Sequence, residues 1–134
     1  MREKLTKYCN IYISIMDINY DDVNSVLSYW FEGDQQVNYK TKWFPDGSTE
    51  LQSHADRWVQ EQFGTLFTNA LDNQLSSWEE SVRSCLALIV VLDQFSRHIC
   101  RLNGKEQCAD IQKRADELAL NISNKFHNKW NKKT

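Results

Sequence analysis

The residues of this chain best equipped for chemistry lie in one run, Asp93-Gln94-Phe95-Ser96-Arg97-His98-Ile99-Cys100-Arg101. Asp93, Arg97 and Arg101 are successively four apart, a spacing that puts side chains on one helical face. Gln94, His98 and Arg101 fall beside them at spacings of four and three. The run comes directly after Cys85-Leu86-Ala87-Leu88-Ile89-Val90-Val91-Leu92, which is apolar all round. Polarity so close to a buried stretch must be paired or must face a cleft, because unpaired buried charge is costly. Two readings are open. In the first, the commoner arrangement, Asp93 holds Arg97 in a structural ion pair and Gln94 caps loose backbone groups. In the second, Arg97 and Arg101 present planar forks suited to a carboxylate or phosphate, and Asp93 orients one of them. Such an anion site comprises Asp93, Gln94, Arg97 and Arg101, with Trp43 as an apolar wall and Lys42 next to it.

Acid–base catalysis fits the run poorly. Asp93 and His98 are five apart, so on a helix they point about 140° from each other and do not converge. His98 reads instead as a hydrogen-bonded helix histidine. The chain has no G-x-G-x-x-G, P-loop, G-x-S-x-G or H-E-x-x-H motif. His54, His98 and His127 lack metal-ligand spacing with carboxylates or thiols, so neither a metal nor a cofactor is expected. Cys85 and Cys100 on one helix would stand about 22 Å apart, too far to bridge. Cys100 and Cys108 flank a turn and could approach, although small buried thiols are the default reading. With a formal net charge of -2, the basic tail residues Lys125, Lys129, Lys132 and Lys133 read as a solvated helix end rather than a nucleic-acid contact.

The elements that position this run are helical. The chain has 134 residues with one Pro and four Gly, too few turn formers for an all-β fold, and a 41% apolar fraction that can build one core. No window supplies the ~18 apolar residues of a membrane span. Val23, Val26, Leu27, Trp30 and Phe31 form a first stripe, with Asp21 and Asp22 as caps and Gly33 as the stop. Residues 32–48 read as a loop carrying Pro45-Asp46-Gly47. A second helix opens at Ser48 or Thr49 and keeps phase from Leu51 to Leu71, with Asn73 as a left-handed cap. A third opens at Ser76 or Ser77 and carries the apolar run, and Asn103-Gly104 separates it from a fourth that begins near Lys105. Short connections between helices two, three and four imply antiparallel hairpins. The domain is placed at 21–130, after an extension of undecided structure over 1–20 and before a basic tail at 131–134. The extension has the basic start and apolar run of a signal peptide, but Asn10 and Ser14 interrupt it and no cleavage site comes after. Met16 is an alternative start.

Several motifs resemble a mainly bacterial family of unknown function, number 924 in the domain-of-unknown-function series. They are Val26-Leu27-Ser28-Tyr29-Trp30-Phe31, Lys42-Trp43-Phe44, the set Asp56, Val59 and Phe63, and the set Ala70, Leu75 and Trp78. The longest is Leu86 to Arg101, which resembles the family's LALILLLDQFPRNIYR signature with Ser96, His98 and Cys100 as departures. The resemblance covers about residues 23–120 and implies an all-helical, tetratricopeptide-like fold. It implies no activity. The family's second half, with a His-Ser-Glu segment and an RFGRFPHRN-like motif, has no counterpart here, which would leave an apolar flank exposed. The expected protein is therefore an all-α, cytoplasmic binding module of about four helices. It takes a small anion or peptide on the Asp/Gln/Arg/Arg face, or else serves as an interaction subunit that meets a protein partner or a second copy.

Overall fold

The computed structural model describes residues 19–33 and 49–130. Among these, every regular element is helical, and they form four rods. The first is α1 (Tyr20–Leu27), which runs on as a π-helical turn at Ser28–Gly33. The second is α2 (Thr49–Leu71). After a 3-10 turn at Ser76–Glu80, the third rod is built of α3 (Val82–Val90), a π-helical turn at Val91–Phe95 and α4 (Ser96–Leu102). The fourth is α5 (Lys105–Trp130). Lys42 and Trp43, the 1–18 part of the extension and the 131–134 tail lie outside the described residues.

Two caps differ from expectation. The α1 cap is Asn19, whose side chain accepts from the Asp21 and Asp22 amides at 3.1 and 3.2 Å. The two aspartates instead occupy the first turn, where their charge suits the helix dipole. Ser76 and Ser77 open only the 3-10 turn, and α3 is capped by Ser81, which accepts from the Ser84 amide at 3.2 Å. The breaks fall where turn chemistry demands. Asn73 has φ 60° and Gly104 φ 81°, both in the left-handed region that ends helices. Arg114 of α5 donates to the Leu71 carbonyl, satisfying one of the orphan acceptors at the end of α2.

The third rod is the centre of the fold. It packs on α1 and α2 and also on α5, and Cys85, Ala87, Leu88, Val90, Val91, Leu92, Phe95 and Ile99 are all buried. A stripe escapes full burial, running through Leu86, Ile89, Asp93 and Gln94 to Arg97 and Arg101. An Ile- and Val-rich run could equally make a strand, but burial on nearly all sides with hydrogen bonds closed within the segment suits a helix surrounded by helices. Aromatic rings fill the space between rods one, two and three. Phe63 and Phe95 stack at 4.6 Å between centroids, Tyr29 and Trp58 at 4.5 Å, and Tyr29 meets Phe95 edge-on at 5.7 Å. Each buried ring contributes about 1.5–3 kcal/mol, so this cluster fixes how α2 lies against the third rod.

Candidate functional site

The π turn at Val91–Phe95 ends where the polar signature begins to find partners. It buries Phe95 and Ser96 side by side, both at 0% exposure, and the residues after it divide between two neighbours. His98 and Arg101 turn toward α2, and Ser96 and Arg97 turn toward α5.

The α2 side centres on Asp56, whose side chain is 4% exposed. Arg101 grips it with both edges of its fork. Its Nε donates to Oδ1 and Oδ2 at 3.1 and 3.0 Å, and its Nη2 donates to Oδ1 at 2.8 Å. His98, 2% exposed, brings Nδ1 to Oδ1 at 2.9 Å, and Gln52 donates from one turn earlier at 2.8 Å. A carboxylate in this position requires the His98 proton on Nδ1. The 3.1 Å approach of Arg101 Nη2 to the same Nδ1 is then two donors crowding one oxygen rather than a hydrogen bond. Burial pushes the Asp56 carboxyl up, but the bonds from His98, Arg101 and Gln52 outweigh it and hold the group below its ordinary value.

The α5 side is wetter. Arg97 Nη1 donates to the Asp93 carbonyl and to Asp116 Oδ1 at 3.0 Å, and stands 3.7 Å from the Asp93 carboxylate. Gln94 donates to Asp93 Oδ2, so Asp93, Gln94 and Arg97 are in contact. Gln112 joins this group to the helix behind it, donating to Ser96 Oγ and to Asp116 Oδ1, both at 2.9 Å. The side chains of Arg97, Asp93 and Asp116 are 45%, 39% and 41% exposed.

The structure thus separates the two arginines that share a helical face. Both guanidiniums meet carboxylates of this chain, Arg97 on one flank and Arg101 on the other. His98 belongs to Asp56 and not to Asp93, which fits the poor convergence expected of residues five apart. Asp56, Gln112 and Asp116 are the partners that reasoning from the sequence gave no role. Asp56, already one of the family-like motif residues, carries a signal for that role, since it is a charged residue in phase with the buried Ala55, Val59 and Phe63 of α2. Nothing in the α5 sequence marks Asp116 out from its other exposed charges. Among the described residues no group of three His, Cys, Asp or Glu side chains could hold a metal ion, and no helix is long and apolar enough to cross a membrane. A cleft of about 510 Å³ lies between α1 and α2, lined by Asp22, Ser28, Trp58 and Gln62 among others, and it includes none of the signature residues.

Residues 26–134 match the family described as bacterial protein of unknown function (DUF924). The chain belongs to this family. No curated protein and no solved structure gives a match. The DUF924 match runs past the motif-bearing stretch to Thr134, beyond the limit of about residue 120 that the motifs alone suggest. In this DUF924 chain the signature's Asp-Gln-Phe-x-Arg segment supplies contacts to two flanking helices at once.

Proposed function

We infer that the chain is a helical interaction module, and that its signature residues fasten the fold from inside rather than receive an anion. The observation that carries this reading is the charge balance around the third rod. Three carboxylates, Asp56, Asp93 and Asp116, stand against two guanidiniums, Arg97 and Arg101. A phosphate or carboxylate reaching Arg101 would meet a guanidinium already committed through Nε and Nη2 to a buried Asp56 that accepts from three side chains. Arg97 is more open, but Asp116 and the Asp93 carbonyl already take its Nη1. The outward surface offers more to a partner than this face offers to a ligand. Tyr20 at the start of the first rod and Phe31 in its π-helical turn are 45% and 51% exposed. Exposed aromatics of this kind suit docking against a second copy or another protein.

Sedimentation velocity over a range of micromolar concentrations tests the reading. The expected result is a species heavier than one chain that reverts to one chain in Phe31→Glu. A single-chain species throughout counts against it. A saturable heat on titrating inorganic phosphate or citrate into the wild type, lost in Arg97→Ala, would replace it with the anion site on Asp93, Gln94, Arg97 and Arg101.

A further inference from the structure

The turn between α4 and α5 brings two thiols together. Cys100 lies on the last turn of α4 and is buried, and Cys108 lies on the first turn of α5 and is partly exposed. The Cys100 thiol donates to the Cys108 carbonyl oxygen at 3.7 Å, and it also lies against the Cys108 thiol. Asn103 and Gly104 make the reversal between them, with Gly104 in the left-handed region that lets α5 start so close to the end of α4. Cys85 does not share this neighbourhood, since it sits about 22 Å from Cys100 along the same rod at 1.5 Å per residue.

We propose that Cys100 and Cys108 form a dithiol that low-molecular-weight disulfides oxidise to an intrachain disulfide across the α4–α5 turn. The exposed member reacts first. The Cys108 thiolate attacks one sulfur of the small disulfide, forming a mixed disulfide and releasing one small thiolate. Cys100 then gives up its proton and attacks the Cys108 sulfur, which expels the second small thiolate. Two protein thiols and one small disulfide become one protein disulfide and two small thiols, with two electrons passing to the small molecule. Burial and the adjacent Cys108 thiol push Cys100 up to about 12, so the second attack is the slower one. The link joins α4 to α5 beside the Ser96–Gln112 and Arg97–Asp116 contacts, adding a covalent tie where two polar ones already run.

The test incubates the full wild-type chain with oxidised glutathione, blocks remaining thiols by alkylation and maps the digest by mass. The expected product is a peptide linking Cys100 to Cys108, with the chain lighter by two hydrogens and no lasting glutathione adduct. Cys108→Ser, altered at the partly exposed thiol, gives no such peptide. A stable glutathione adduct on Cys108 beside a free Cys100 overturns the proposal, as does a full thiol count or a link through Cys9 or Cys85. Phenylarsine oxide, which binds thiols in close pairs, gives an independent reading. The wild type is expected to lose two titratable thiols per arsenical and Cys108→Ser none, and equal behaviour of the two overturns the pairing.

Discussion

Arg97 and Arg101 sit one turn apart on α4, yet the environments on its two flanks differ in kind. On the α2 flank Arg101 closes over a buried carboxylate that also holds His98 and Gln52. On the α5 flank Arg97 meets Asp93 and Asp116 at the surface, each more than a third exposed. Residue types and spacing are nearly the same, and the two guanidiniums are similarly exposed. The difference lies in the carboxylate each one meets, 4% exposed for Asp56 against 41% for Asp116. A buried carboxylate must keep its donors, because Asp56 left without them is an uncompensated charge, whereas exposed partners are replaced by water at little cost. The inner contact is thus expected to carry more of the stability than the outer one.

The sharpest way to break this contrast is Asp56→Ala. Arg101, 35% exposed, can turn to water, but His98 is left with a buried unpaired donor, and stability measured by urea denaturation is expected to fall by about 1–3 kcal/mol. A loss below about 1 kcal/mol would place the inner contact on the same footing as the outer one.

The second probe is acid. The Asp56 carboxyl lies below its ordinary value in the folded chain, so the unfolded chain binds that proton more readily. Its contribution to stability is complete above the unfolded value, 3.8, and is lost as pH falls through the lower folded value. Relative to wild type, Asp56→Asn should be less stable near neutrality and show a smaller decline below pH 3.8. Equal acid slopes in the two proteins would assign the decline to other carboxylates.

The smallest effect belongs to the outer network. Arg97→Ala is expected to cost about 0–1 kcal/mol, and what loss there is should shrink as salt is added. A loss of several kcal/mol, insensitive to salt, would show that the fold depends on Arg97 no less than on Arg101.

The helices are legible from apolar spacing because each buries a stripe, and the left-handed Asn73 and the Asn103-Gly104 break are legible from turn chemistry. The contact among Asp93, Gln94 and Arg97 is implied by their positions on one helix. Spacing does not reveal which neighbour a long side chain reaches. Arg97 and Arg101 share a face, and only the packing of α2 on one flank and α5 on the other sends them apart. The π turn is equally silent in the sequence, since Val91-Leu92-Asp93-Gln94-Phe95 has no composition that favours a wider coil. The caps differ from expectation by one to a few residues because Asn19, Asp21, Ser76 and Ser81 are all competent acceptors, and the competition is decided by where the apolar stripe enters the core.

That wide coil at Val91–Phe95 has a consequence for the whole signature. A π turn holds about one residue more than an α turn, and each residue swings the downstream helix by about 100° around the axis. Because the wide turn takes up that extra residue within one revolution, shortening it by one position would restore an α turn and leave the guanidiniums and the imidazole facing as before. The same deletion in the α-helical stretch just upstream would dial them round by more than a quarter of a circle, away from both carboxylates. The segment therefore works as slack in the chain, able to absorb one residue of length without turning Arg97, His98 and Arg101 away from their partners.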